Sequence, residues 1–235
     1  MARVIEIDLT DTHPARIQHV LDEAFASPAR LKKITIQETE EEKDGIYVIL
    51  MGGYGKDYLG AGIRNLLKVE TVGSIGDYGF ANTENSECIV QGNAGDYFGH
   101  SQHSGTLTIM GSAGRAVASM GQGGFLVVLG DAADEAGCSL RGADVLVRGD
   151  VGKRAGYRMR GGNLVIGGNA GTDLGHQLIG GTIYLRGDAE SISAEIEECR
   201  LREPDRLKLG LLLMKAGIKA SAIKEFRVYR SVNDL

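Results

Sequence analysis

The chain has 235 residues, of which 35 are glycine, 3 are proline and none is tryptophan. Glycine at about 15%, roughly twice its usual share, without every-third spacing or abundant proline excludes a collagen helix. Apolar residues at 43% against 24% charged exclude simple disorder, and a net charge of −5 argues against a general nucleic-acid binder.

The first residues, Met1-Ala2-Arg3-Val4-Ile5-Glu6, alternate polar and apolar and carry no signal-peptide core. No apolar run approaches the roughly 18 residues of a membrane span. A cytoplasmic location is expected. Cys88, Cys138 and Cys199 are scattered, with no C-x-x-C pair and no partnering histidine cluster, so neither a disulfide framework nor a zinc ribbon is expected.

Residues 1–45 read as a small α/β cap. Val4, Ile5 and Ile7 suggest a strand. Asp11 or Thr12 caps a helix with Pro14 in its first turn, running to Phe25. Ile34-Thr35-Ile36 suggests a second strand, and Glu38–Asp44 a solvated charged loop.

The middle of the chain, 46–190, is a repeat. Of the 35 glycines, 32 lie from Gly52 to Gly187. Gly73, Gly92, Gly111, Gly130, Gly149, Gly168 and Gly187 follow one another at intervals of 19 residues. Counting each as position zero, glycine recurs at position three (Gly76, Gly95, Gly114, Gly152, Gly171) and at position seven (Gly99, Gly137, Gly156, Gly175). Positions fifteen and seventeen are apolar in every unit, from Cys88 and Val90 to Ile183 and Leu185. This period-2 burial marks a strand. Position two is small and apolar and also points inward. Such a unit, with about three short runs between glycine bends, fits one coil of a right-handed parallel β-helix. Seven coils at about 4.8 Å make a prism roughly 34 Å long. The glycines serve the corners, by positive φ or by close approach.

Residues 191–235 read as a helix and tail. An amphipathic helix is expected from Asp205 to Ala216, with Pro204 at its start and Gly217 past its end. Lys224–Tyr229 suggests a strand or an ordered tail.

The chemistry is sparse. No phosphate-binding loop, H-E-x-x-H or G-x-S-x-G motif occurs. His100 and His176 share position eight but stand four coils apart, about 19 Å by the stacking distance. His100, His103 and Asp96 are near one another and form either a metal site or a set of surface side chains.

Two outward columns stand out. Position eleven carries His103, Gln122, Arg141 and Arg160, a candidate anion-facing column. Position sixteen, between two inward positions, reads Ile89, Thr108, Val127, Leu146, Val165 and Tyr184, with Phe125 beside it. A sheet apolar on both faces is covered on both. Phe125, Val127, Leu146 and Val165 are therefore the candidate partner interface. The competing expectation is that the N-terminal cap or the C-terminal helix folds back over them.

The 19-residue G-x-x-G-x-x-x-G coils from Gly52 to Gly187 resemble the GXGXG β-helix domain at the C-terminal end of the glutamate synthase large subunit. The helix and the Lys224–Ser231 tail resemble its free-standing subunit form, found in glutamate synthase and N-methylglutamate synthase. The same coils are similar to the β-helical subunit of formylmethanofuran dehydrogenase and its formyltransferase/hydrolase relative. The resemblance implies a non-catalytic scaffold in an oxidoreductase complex of nitrogen metabolism. Its partners would be an amidotransferase subunit and an FMN-barrel subunit with an iron–sulfur cluster, held in register so that ammonia passes between them. By this resemblance no cofactor, no metal and no catalytic residue is expected in this chain: its N-terminus is Met1-Ala2 rather than the Met-Cys of an amidotransferase, and it has no Cys cluster for an iron–sulfur centre. Nucleic-acid and membrane partners are not expected, and a homo-oligomer stays open. The alternative is the scaffold of a one-carbon formyl-transfer complex, whose surface would meet an anionic cofactor tail.

Overall fold

A computed structural model of the chain describes residues 2–8, 34–39, 46–52, 54–64 and 67–233. The expected helix between Asp11 and Phe25, and most of the Glu38–Asp44 loop, lie outside the described residues. Among the described residues no helix is long and apolar enough to cross a membrane.

The architecture is a right-handed parallel β-solenoid of about seven turns with a C-terminal helix on one side. Eight parallel strands form its one regular sheet: β3 (Ile46–Met51), β4 (Leu67–Thr71), β5 (Glu87–Val90), β6 (Thr106–Ile109), β7 (Phe125–Val128), β8 (Arg141–Val147), β9 (Arg160–Ile166) and β10 (Gly180–Leu185). Each adds to the one before it. The register equals the sequence repeat: Cys88 pairs with Leu107, Leu107 with Leu126, Leu126 with Val145, and Val145 with Leu164. Positions fifteen and seventeen are fully buried from Cys88 and Val90 to Ile183 and Leu185.

Both ends of this sheet are closed by strands from outside the repeat. β1 (Ala2–Asp8) runs parallel to β3, and β2 (Ile34–Thr39) pairs antiparallel with β1. At the other end β12 (Arg227–Ser231) pairs antiparallel with β10 and with β11 (Ile196–Cys199). A parallel strand added to β10 would extend the solenoid; an antiparallel one ends it and covers its edge.

The rest of each coil is not strand. Position two makes single parallel bridges, Ala94 to Ala113 to Ala132 to Val151 to Ala170 to Ala189. Positions five, seven and nine lie in the left-handed region, including non-glycine residues such as Tyr97 (φ 58°), Ala118 (φ 59°) and Arg158 (φ 53°). Such residues are strained by roughly 1 kcal/mol each. The alternation turns successive amides toward opposite neighbours. Tyr97 N–H donates to Arg115 O at 2.8 Å, Gly99 N–H to Gly79 O at 2.9 Å, and Ser101 N–H to Ser119 O at 2.8 Å. The face thus keeps the hydrogen bonds of a sheet without its conformation. The expectation of three strand-like runs holds for one run only.

The corner glycines divide between the two expected causes. Gly73 has a positive φ of 89°, but Gly92, Gly111, Gly130, Gly149, Gly168 and Gly187 do not. Close approach decides these six. At position one, each side-chain oxygen accepts the amide one coil on. Asn93 N–H donates to Ser74 Oγ at 2.9 Å, Asp150 N–H to Asp131 Oδ1 at 2.9 Å, and Asn169 N–H to Asp150 Oδ1 at 2.6 Å. A second ladder runs at position four, where Asp96 N–H donates to Asp77 Oδ1 at 2.7 Å and Lys153 N–H to Asp134 Oδ1 at 3.0 Å. These oxygens stand where the next coil's Cβ would be. A Cβ on Gly149 would meet Asp131 Oδ1 at 2.0 Å, and one on Gly152 would meet Asp134 Oδ1 at 2.3 Å.

Gly152→Val therefore destabilises by at least about 2 kcal/mol, through a clash with backbone and a rung. Lys153→Ala removes only an exposed pairing to Asp134 at 3.5 Å and changes stability by under about 1 kcal/mol. Thermal unfolding of the two variants checks this, and equal melting temperatures refute it. The ladder needs an acceptor rather than a charge, as its mixture of Ser, Asn and Asp shows. Asp150→Asn should keep the melting temperature, whereas Asp150→Ala should lose about 0.5–1.5 kcal/mol. Equal loss in both would show that charge is what matters.

Candidate functional site

The outward stripe at position sixteen is apolar from Val127 to Tyr184, and over that length the chain covers it itself. Helix α1 (Glu203–Lys215) lies across it. Leu209, Leu212 and Leu213 of the helix, with Phe226 and Val228, form one buried cluster with Phe125, Val127, Leu146, Val165 and Tyr184. Leu146 and Val165 are wholly inaccessible. Phe125, Val127, Leu146 and Val165 are thus not an open partner interface: of the two expectations, the fold-back by the C-terminal helix is the one realised. Burying each such side chain contributes about 1.5–3 kcal/mol. That is enough to draw a 13-residue helix onto the sheet rather than leave the face to a partner.

Local chemistry fixes the helix there. Its start is held by Asp205, whose Oδ2 accepts the Arg202 amide at 2.9 Å and whose Oδ1 takes the Arg230 guanidinium from β12. Lys208 Nζ reaches Asp144 Oδ2 at 2.8 Å, and Lys215 lies 5.6 Å over the Phe125 ring. The end is a Schellman closure. Gly217 (φ 70°) donates to Met214 O at 3.0 Å, and Ile218 to Leu213 O at 2.8 Å. The helix begins two residues before the expected Asp205 because Asp205 serves as the third helical residue, reaching back to cap.

Near that closure lies a cavity of about 270 Å³, walled by Leu213, Ile218 and Phe226, with Arg148, Arg186 and Lys219 at its edge. Arg186 Nε donates to Glu225 Oε2 at 2.6 Å. Arg148 and Lys219 have no ion-pair partner among the described residues.

The position-eleven column is exposed throughout: His103, Gln122, Arg141 and Arg160 all face solvent. It is not a straight ladder. A register shift before Asp144 sets Arg141 opposite Gly161 instead of Arg160, and Arg160 opposite Gly180. The backbone pairing is thus offset by one residue at Arg141 and at Arg160, and neither guanidinium has an ion-pair partner among the described residues.

Two histidines, His100 and His176, are drawn into coil-to-coil contacts. His100 Nδ1 is 2.8 Å from Ser119 Oγ, and Asp96 Oδ1 accepts Arg115 N–H at 2.7 Å. Burial holds His100 below the usual histidine range. His176 stacks on Tyr157 at 5.7 Å and lies 3.6 Å from Glu195. No group of three or more metal-ligating side chains forms among the described residues. Of the thiols, Cys88 is core, and burial raises it strongly. Cys138 is pushed up to about 11, first by burial and then by Glu135. A thiol held so high is protonated at neutral pH and is no nucleophile.

One constellation escaped the sequence reading. Tyr58, Tyr78 and Tyr97 form a parallel stack, with centroids 5.0 and 4.8 Å apart and planes within 7°. Arg115 closes it, 5.5 Å over the Tyr97 ring, with Nη2 on Tyr97 Oη at 2.5 Å. The signal was available in the 19-residue interval between Tyr78 and Tyr97. Side chains in one column must touch at the coil spacing, and this aromatic column contributes about 0.5–1.5 kcal/mol per pair.

Neither a scan against protein-family models nor a search of curated proteins returns a match.

With the helix rather than a partner covering the stripe, Leu146→Asp should lower the melting temperature of the isolated chain by several degrees. An unchanged melting temperature would mean that the helix is not held on this face in solution.

Proposed function

We propose that this chain is a non-catalytic scaffold subunit of a glutamate-synthase-type oxidoreductase complex. It would hold an amidotransferase subunit and an FMN-barrel subunit in register, so that ammonia released by one reaches the other. The observation that carries the reading is the unit itself. Each 19-residue G-x-x-G-x-x-x-G coil builds one rung of the solenoid, and many of the side chains capable of chemistry hold rung to rung. Ser119 engages His100, Asp96 and Asp134 accept backbone amides, and Tyr97 and Tyr157 lie in stacks with Arg115 and His176. What such a body offers is length, rigidity and surface. FMN and the iron–sulfur cluster belong to the partner subunits in this reading.

A second reading, the scaffold of a formylmethanofuran dehydrogenase or formyltransferase/hydrolase complex, is favoured by one feature. Arg141 and Arg160 are exposed and lack ion-pair partners among the described residues, as a surface meeting an anionic cofactor tail requires.

Purification of the tagged chain from its native host, with mass spectrometry of what accompanies it, separates the two. An amidotransferase and an FMN-barrel protein in stoichiometric amounts support the first; a molybdenum or tungsten formate dehydrogenase, or an amidohydrolase, supports the second. The isolated chain should give background rates in glutaminase, glutamate synthase and formyl-transfer assays. Turnover that tracks the chain through purification would overturn both readings.

A further inference from the structure

Helix α1 has two apolar faces. One is spent on the sheet. On the other, Leu207, Leu211 and Met214 are 63%, 52% and 63% exposed. Their spacing of four and three residues places them on a single stripe along the helix. Leucine at two of three adjacent exposed positions is an expensive way to meet water. Past the C-terminal end of the helix, Ile218 packs against the cluster between helix and sheet and walls the cavity there.

The charge around this surface is opposite in sign to that of the chain. From Arg200 to Lys219 there are six basic and two acidic residues, in a protein of net charge −5. Asp205 is taken up by Arg230, and Lys208 by Asp144. Arg200, Arg206 and Lys219, which flank or interleave with the stripe in sequence, and Arg148 at the cavity make no ion pair among the described residues; neither does Glu203, the one acidic residue at the stripe's N-terminal end. We infer that the outward face of α1, together with the cavity at its C-terminal end, docks an acidic amphipathic helix of a partner subunit. An apolar side chain of that helix enters the cavity, and its carboxylates meet Arg148, Lys219 and Arg206.

Two other occupants fit less well. A second copy pairing this face with itself across a two-fold axis would set basic flank against basic flank. A lipid surface needs an apolar face free to sink several ångströms, whereas the helix is held on the sheet with only one row of side chains projecting. The inference rests on the scaffold reading only in requiring that a partner exist.

The test places a photo-crosslinking amino acid at Leu211 of the tagged full-length chain, expressed in its native host, with the same group at exposed Lys153 as control. Irradiation and peptide mapping should join position 211, and not 153, to a segment with leucine-like residues at helical spacing and an excess of Asp and Glu. Leu211→Asp, and separately Arg148→Glu with Lys219→Glu, should reduce the co-purified partner about tenfold, the scale of a single interface anchor. The melting temperature of the isolated chain should be unchanged, because these side chains are exposed. A crosslink to the chain itself or to lipid overturns the inference. So does no crosslink above the control, or undiminished co-purification of the variants. If the crosslinked segment is acidic and amphipathic but belongs to neither an amidotransferase nor an FMN-barrel protein, the docking face stands and the glutamate-synthase reading falls.

Discussion

Stacking of the coils at the spacing of hydrogen-bonded strands, about 4.8 Å, governs the rest of this structure. Once the backbone of each turn bonds to the turns on either side, residues lie on their equivalents one turn away, 19 positions on through most of the repeat. A column can hold only what tolerates its own kind at van der Waals range. Interior columns are aliphatic for that reason. The corners hold Ser, Asn or Asp, whose oxygens take the amide of the next turn, and those oxygens in turn forbid a Cβ on the neighbouring glycine. The tyrosine stack obeys the same rule: its centroid separations of 5.0 and 4.8 Å are the coil spacing in aromatic form.

The same geometry accounts for the left-handed residues. A side of the prism turned in alternate left- and right-handed steps aims its amides up and down the axis, as a strand does, in a tighter curve. Non-glycine residues occupy those positions at a conformational cost, and the inter-coil hydrogen bonds and buried side chains at positions six and seven offset it. Phe98, Val117 and Ala118 are essentially inaccessible there. Strain spread over every coil belongs to the scaffold and does not mark one functional spot.

The sheet has two apolar faces, and the chain resolves each differently. The inner face is closed by the coil itself. The outer face is closed by a helix brought back from beyond the repeat and pinned by Asp205, Arg230, Lys208 and the Gly217 closure. That covering moves the question of partners outward by one layer, from the sheet to the exposed side of α1.

The sequence by itself determined the repeat, the strand of each coil, the inward columns and the helix between Pro204 and Gly217. All of these follow from periodicity and local turn chemistry, which a single chain displays. It also implied that Val127, Leu146 and Val165 must be covered, because alternation sends them to the opposite face from their buried neighbours. Only the tertiary structure decided what covers them, since α1 and the sheet are far apart in sequence and no spacing rule links them. The cause of the corner glycines, and the register offset at Arg141 and Arg160, were likewise hidden. Both depend on what the neighbouring coil places against a residue, a distance between segments that pattern along one chain does not record.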